Sequence, residues 1–265
     1  MVNLLQKYWR ESWAVARRIL TELFRRRRSL ISWLIFPALL LILNGLITAG
    51  GNNREIEVGA AFEMAAPPTL VGAALFFSCL GGGVATVVSE REQQTLKRLF
   101  LSPLSGVSYF LGIFLAHSVI GVGQTLVIFA IASLAGASFP NALWPLAVLI
   151  IALSILSYVG LGFMLGTQFA RRTEDVSALI AAFGVPLMVL GGAFLPISLF
   201  PDSLKEIAKF NPIYHMTEAL TNALLDPELP INEGGHFVFL LIFAALMVVV
   251  GWFSYRRMLV QERQL

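Results

Sequence analysis

The residues of this chain that could do chemistry are few, and their spacing argues against most chemistries. His117, His215 and His236 stand far apart, with no carboxylates at ligand spacing, so no metal site is expected. Cys79 is the single cysteine; in its apolar surroundings it reads as an inert thiol. Gly81-Gly82-Gly83 runs on into Val84-Ala85 rather than into the Lys-Ser/Thr that cradles a nucleotide phosphate. It reads as a place where helices pack closely, and the chain is not expected to bind ATP. No nucleophile elbow or zinc-protease pattern occurs. The expectation is therefore no enzyme and no cofactor on this chain. A membrane-integral enzyme with dispersed residues, or an assembly scaffold, stays open as the alternative.

What remains is one dense charged run between apolar stretches, Ser89-Glu90-Arg91-Glu92-Gln93-Gln94-Thr95-Leu96-Lys97-Arg98-Leu99-Phe100-Leu101-Ser102-Pro103. Leu96, Leu99 and Phe100 recur at helical spacing and Pro103 stops the pattern, which predicts a short amphipathic helix. Such a helix is either a polar turn between two spans or a docking element for a soluble partner.

The elements that position this run are membrane helices. The chain is 57% hydrophobic and only 13% charged, with a mean hydropathy of +0.77. Apolar runs of about 20 residues imply bilayer-spanning helices. Six are expected, at 30–49, 69–88, 106–135, 143–169, 176–196 and 236–255. No cleavable signal peptide is read, because the first apolar run follows a charged leader and is a full span long. Of the 19 Lys and Arg, 16 fall on one side of this topology and Arg54, Lys205 and Lys209 on the other. The positive-inside rule then makes both termini, the 89–105 loop and the 170–175 turn cytoplasmic.

The leader, 1–28, reads as an amphipathic helix lying in the membrane interface. Leu5, Tyr8, Trp9, Trp13, Ala16, Ile19, Leu20 and Leu23 share one arc, and Lys7, Arg10, Glu11, Arg17, Arg18 and Glu22 the other. Arg25-Arg26-Arg27-Arg28 abuts the first span, where a cytoplasmic anchor on membrane lipids outweighs a nucleic-acid site. On the other side, 50–68 is expected to be a loop with Asn52-Asn53 and Pro67-Pro68 as turn signals. The 197–235 segment predicts two short helices, stopping at Asn211-Pro212 and Asp226-Pro227. Too brief to span, they suit a re-entrant or interfacial hairpin. The chain is read as one domain over 1–265: leader, six-span bundle over 30–255, and a cytoplasmic tail over 256–265.

Polar groups within the spans are limited to Asn44, His117, Gln124, Tyr158 and Gln168. His117 and Gln124 are candidates for a transport pathway, with interhelical hydrogen bonding favoured over that role. Gly191 and Gly192 in the fifth span allow either a moving gate or plain close packing. Buried Asp, Glu, Lys and Arg are not expected in the spans, so ion-driven coupling is not expected and energy would come from elsewhere.

Taken together these features resemble the membrane subunit of an ABC exporter of the ABC-2 type. Ser89 to Leu99 is similar to that family's Glu-Arg-Glu-x-Gly-Thr-Leu-x-x-Leu loop between spans two and three. Leu190-Gly191-Gly192 through Phe200-Pro201 to Asn211-Pro212-Ile213-Tyr214-His215 is similar to its signature around the fifth span. Gln94 stands where the family commonly has Gly, and Thr221 where it commonly has Arg or Gln.

The resemblance implies an all-α membrane protein with six transmembrane helices, an N-terminal interface helix, a cytoplasmic coupling helix and an outer re-entrant hairpin. It implies that Glu90, Arg91, Glu92, Thr95, Leu96, Lys97, Arg98 and Leu99 dock onto a separate ATP-binding subunit, which carries ATP and Mg. Tyr8, Trp9, Trp13, Arg17 and Arg18 would form the interface helix. Gly191, Gly192, Pro212, Tyr214 and His215 join His117 and Gln124 as pathway or gate candidates. The partners implied are that ATPase, a second copy or a homologous permease, and lipids of a bacterial-type inner membrane. Export of drugs, lipids or lipid-linked glycans is the expected work. Reversing both Glu90 and Glu92 to Lys is expected to weaken coupling while leaving the spans folded.

Overall fold

The apolar runs become long helices in the computed structural model, which describes residues 2–25, 27–51, 56–95, 104–195, 197–226 and 235–263. The helices are α1 (Val2–Arg25), α2 (Arg27–Gly50), α3 (Val58–Glu92), α4 (Gly106–Leu134), α5 (Trp144–Gln168), α6 (Thr173–Leu190), α7 (Asp202–Ala208), α8 (Pro212–Leu225) and α9 (His236–Arg263). Six of them, α2 to α6 and α9, are long and apolar enough to cross a membrane. No strand occurs among the described residues.

Three boundaries depart from the sequence reading. The second span begins at Val58 rather than 69, so Pro67-Pro68 lies inside a helix and not in a loop. Proline lacks a backbone donor, and its ring crowds the carbonyl four residues back. A π-helical stretch over Leu70–Gly81 follows directly after the pair. A second π-helical stretch, Ile180–Gly184, precedes Pro186 in α6. The fifth span ends at Leu190, not 196: Gly192 takes φ +83°, its N–H bonds Val189 O at 3.1 Å, and Ala193 N–H bonds Met188 O at 3.0 Å. That paired closure needs a left-handed residue, which glycine supplies. Finally, the proposed tail continues α9 as far as Arg263.

α3 is the axis of the bundle. In its most apolar window 89% of the residues are buried, against 22% in α2, 17% in α6 and 22% in α9. These outer helices keep broad apolar faces exposed, as a lipid-facing helix does. Gly82 lets α3 pass close to α2 and α4, since a Cβ there would lie 2.9 Å from both the His117 ring and Trp33. On the loop side of the bundle Tyr109, Phe110, Phe163, Trp252 and Tyr255 interlock α4, α5 and α9, with ring centroids 5.0–6.5 Å apart.

Polar side chains inside the spans bind carbonyls of neighbouring helices. Tyr158 OH donates to Val71 O at 2.8 Å and Gln168 Nε2 to Ser254 O at 3.2 Å. Asn44 Nδ2 donates to Ala193 O at 3.1 Å, at the turn that ends α6. Two of these acceptors belong to irregular backbone, the π-helical stretch and the α6 turn, where carbonyls are left over from the regular ladder.

Candidate coupling site

Glu90-Arg91-Glu92 occupies the last turn of α3, and each side chain reaches a different neighbour. Glu90 is 4% exposed. Its Oε1 pairs with the Arg18 guanidinium of α1 and its Oε2 accepts from Tyr109 OH of α4. Arg91 donates from Nη1 to Ala170 O at 3.0 Å and from Nη2 to Thr167 O at 3.1 Å, capping the end of α5 with positive charge. Glu92 accepts from Thr173 N at 3.0 Å and from the Thr173 hydroxyl, capping the start of α6 with negative charge. Asp175 completes that cap, accepting from the N–H groups of Arg171 at 3.0 Å and Arg172 at 2.9 Å.

The far end of the loop is fixed to α1 as well. Ser105 caps α4 by accepting from Ser108 N at 3.1 Å. Glu11 accepts from Ser108 Oγ at 2.6 Å and Ser105 N at 3.3 Å. These bonds, the Ser108 hydroxyl first, hold the Glu11 carboxyl below its ordinary pKa. Both ends of the 89–105 loop are therefore tied to one helix, α1, through Arg18 and Glu11. Arg91 and Glu92 tie the first end to α5 and α6 in addition.

This placement corrects two expectations. Glu90 is not a surface docking residue, and replacing it by Lys would set a second cation against Arg18 in a buried site. The double reversal with Glu92 cannot leave the bundle undisturbed. The expectation of no buried carboxylate in the spans fails too, because the second helix extends far enough to include buried Glu90 at one end; Glu63, near its other end, is partly exposed. Glu63 accepts from Ser138 N at 2.8 Å and holds the 136–142 turn. Beyond Glu92, Gln94 adopts φ +54° and Thr95 is helical again. Leu96, Lys97, Arg98 and Leu99 lie outside the described residues.

α1 divides its apolar residues between two surroundings. Val15, Ala16, Ile19 and Leu23 are buried in the bundle, whereas Trp9, Trp13 and Phe24 stay exposed beside exposed Arg17. Ala16, Ile19 and Leu23 thus leave the lipid-facing arc expected for them, and Arg18 turns inward to Glu90. Tyr8 is partly exposed.

The pathway candidates do not converge. His117 is fully buried; its Nδ1–H donates to Ser78 O at 3.1 Å and its Nε2 accepts from Thr86 Oγ1 at 3.1 Å. Gln124 Nε2 donates to Trp33 O at 3.1 Å. Both therefore link helices. Gly191 and Gly192 form the stop of α6. Pro212, Tyr214 and His215 begin α8, which packs against α3, α5, α6 and α9. Asn211 caps α8 through Ile213 N at 3.0 Å and donates to Leu187 O of α6 at 2.6 Å. The sequence reading missed the roles of Asn211, Glu11 and Tyr109. For Asn211 a signal was there: Asn before Pro at a helix start is a capping pattern.

The fold, with six apolar helices long enough to span and a cross-tied loop between the second and third, is that of a multi-pass membrane protein. The chain belongs to the ABC-2 family transporter protein family, whose profile matches residues 59–253. It is 26% identical over 144 residues to the putative transport permease YvfS of Bacillus subtilis, covering 52% of this chain and 58% of that protein. It is 29% identical over 135 residues to the probable multidrug ABC transporter permease YbhR of Escherichia coli K12, covering 50% and 36%. It is 26% identical over 172 residues to the linearmycin resistance permease protein LnrN of Bacillus subtilis, covering 64% and 44%. The matched region thus spans from about a third to just under three fifths of these relatives.

Proposed function

We propose that the chain is the membrane-spanning subunit of an ATP-driven exporter, worked by a separate ATP-binding subunit docked on the 89–105 loop. One observation carries the reading: the base of that loop is bonded to α1, α4, α5 and α6, so a push on its tip moves four helices together. Rigid coupling of this kind is what a membrane domain needs when its motor is on another chain.

In this reading Thr95, Leu96, Lys97, Arg98 and Leu99 meet the ATPase, and Glu90, Arg91 and Glu92 transmit the movement. The termini and this loop are cytoplasmic, in keeping with the Lys/Arg distribution. Exposed Trp9, Trp13 and Phe24 with Arg17 and Arg25 set α1 in the lipid interface of an inner membrane. The exposed apolar faces of α2 and α6 suit a second copy or a homologous permease. The cargo is an amphipathic or hydrophobic molecule such as a drug, a lipid or a lipid-linked glycan. The multidrug and linearmycin-resistance names of two relatives support the first of these classes.

The test is affinity purification of the tagged chain from native membranes in mild detergent, with ATPase activity measured on the eluate. An ATP-binding protein that co-purifies, and is lost when Leu96 and Leu99 are changed to Asp, is the expected result. A chain that purifies alone, without ATPase activity, in several detergents and in lipid discs overturns the proposal.

A further inference from the structure

His215, on α8, is an imidazole with its orientation fixed. Its ring stacks on Phe239 of α9 at 3.8 Å between centroids, and Tyr214 packs edge-on against it. Its Nε2 lies 2.8 Å from Lys209 O, a pure acceptor, so Nε2 carries the proton and Nδ1 the lone pair. That lone pair faces Nδ1 of His236 at 2.9 Å. The proton between them must therefore sit on His236 Nδ1 and be donated to His215. His236 is the first residue of α9 and follows Gly235, whose φ of +71° and open surroundings leave the backbone free to turn.

The proton balance of the pair is asymmetric. A first added proton lands on His236 Nε2 and keeps the Nδ1–H···Nδ1 bond, now charge-assisted. A second can land only on His215 Nδ1, where it sets two N–H groups and two cations face to face. It also adds positive charge near the N-terminal end of α9, which the helix dipole disfavours.

We infer that His215 and His236 form an acid-released latch, which holds the start of the last span against α8 while it carries at most one extra proton and opens on taking the second. Burial already keeps the His215 pKa below that of a free imidazole. The charged and titratable groups around the pair do not undo this. On α8, Tyr214 and Glu218 are themselves pushed by burial toward their neutral forms. Ahead of it, Lys205 and Lys209 are paired with Asp202 and Glu206. On the helices packed against α8, Tyr158 donates to Val71 O, Glu63 is bound to the 136–142 turn, and Cys79 is buried. Glu228 and Glu233 lie outside the described residues. Which compartment's acidity the latch reads rests on the orientation proposed above; the latch itself does not.

The experiment is solid-state NMR of the full chain in lipid bilayers with ¹⁵N-histidine. The three histidines make the spectrum assignable, with His117→Gln marking the buried third. In parallel, spin labels at Asn222→Cys and Val238→Cys in a Cys79→Ser background report the α8–α9 distance by pulsed EPR. Expected at neutral pH are an Nε2–H tautomer for His215, an Nδ1–H tautomer for His236, and a nitrogen–nitrogen coupling between them. On acidification, in chelator-containing buffer, that coupling survives the first protonation. It vanishes at the second, as the label distance lengthens; His215→Gln removes both events. Independent titration of the two rings without coupling, or a label distance unchanged through double protonation, overturns the inference. Both readouts are taken on the isolated chain, so they stand whether or not an ATPase is ever found.

Discussion

The Arg18 guanidinium on α1 and the Glu90 carboxylate on α3 form an ion pair between residues 72 positions apart, with the carboxylate buried and its second oxygen held by Tyr109. A single pair thus joins the leader helix to the central helix at the level where the coupling loop begins. Removing one partner of a buried pair costs about 3–5 kcal/mol. Arg18 is a third exposed, so the lower end of that range or somewhat less applies here. Glu90→Gln and Arg18→Gln are each expected to lower the thermal unfolding midpoint in detergent by several degrees. The double variant should fall by clearly less than the sum. Additive losses would mean that the two side chains are energetically independent.

Gln94 is the family's usual glycine position, and it is left-handed at φ +54°. A non-glycine residue there costs about 1–2 kcal/mol relative to right-handed backbone. Glycine removes that cost and adds about 0.4–1 kcal/mol of unfolded-chain entropy. Gln94→Gly is therefore expected to stabilise the turn by at most about 1.6 kcal/mol, and Gln94→Val to weaken it. Amide exchange across residues 91–95 would show slower opening in the first variant and faster in the second. The same rates in both would dismiss the strain.

The position of Gln94 illustrates what was legible in the sequence. The six spans, the leader and the two outer helices could be read, because apolar length and Pro or Asn stops are local signals. Pro67-Pro68 misled, since a proline pair is a local turn signal, whereas the buried helix that carries it is held by packing that a local signal does not show. The roles of Glu90, Arg91 and Glu92 were not legible either. Charge marks a loop, but whether a carboxylate faces a partner or an arginine 72 positions away is decided by how α1 folds back on α4. Trp9 and Ile19 lay on one arc of the wheel, yet only the bundle determines which of them is buried.

Asn211 makes two bonds of different kinds, a helix cap on α8 and a link to Leu187 O of α6. It is 3% exposed, so water cannot replace either bond. Asn211→Ala is expected to cost about 0.5–2 kcal/mol for the cap. The interhelical bond adds about 0.6 kcal/mol. Asn211→Ser retains a capping oxygen and loses the amide that reaches Leu187 O, so it should fall between the wild type and the alanine variant in thermal unfolding. Equal losses in the two variants would assign the whole effect to the interhelical bond.

Glu11 gives the acid response of the leader a definite sign. Its folded pKa is depressed below 4.5, chiefly by the Ser108 hydroxyl. The unfolded chain therefore binds the proton first, so the stabilisation is complete above that value and is lost as pH falls through the folded pKa. Between pH 6 and pH 3 the wild type should lose unfolding midpoint from this group, and Ser108→Ala should lose less because its carboxyl lies nearer the ordinary value. The latch residues His215 and His236 also take up protons on acidification, so the comparison is best made in a His215→Gln background. A Ser108→Ala profile parallel to that of its parent throughout the acid range would show that the Glu11–Ser108 bond does not tie the leader to α4.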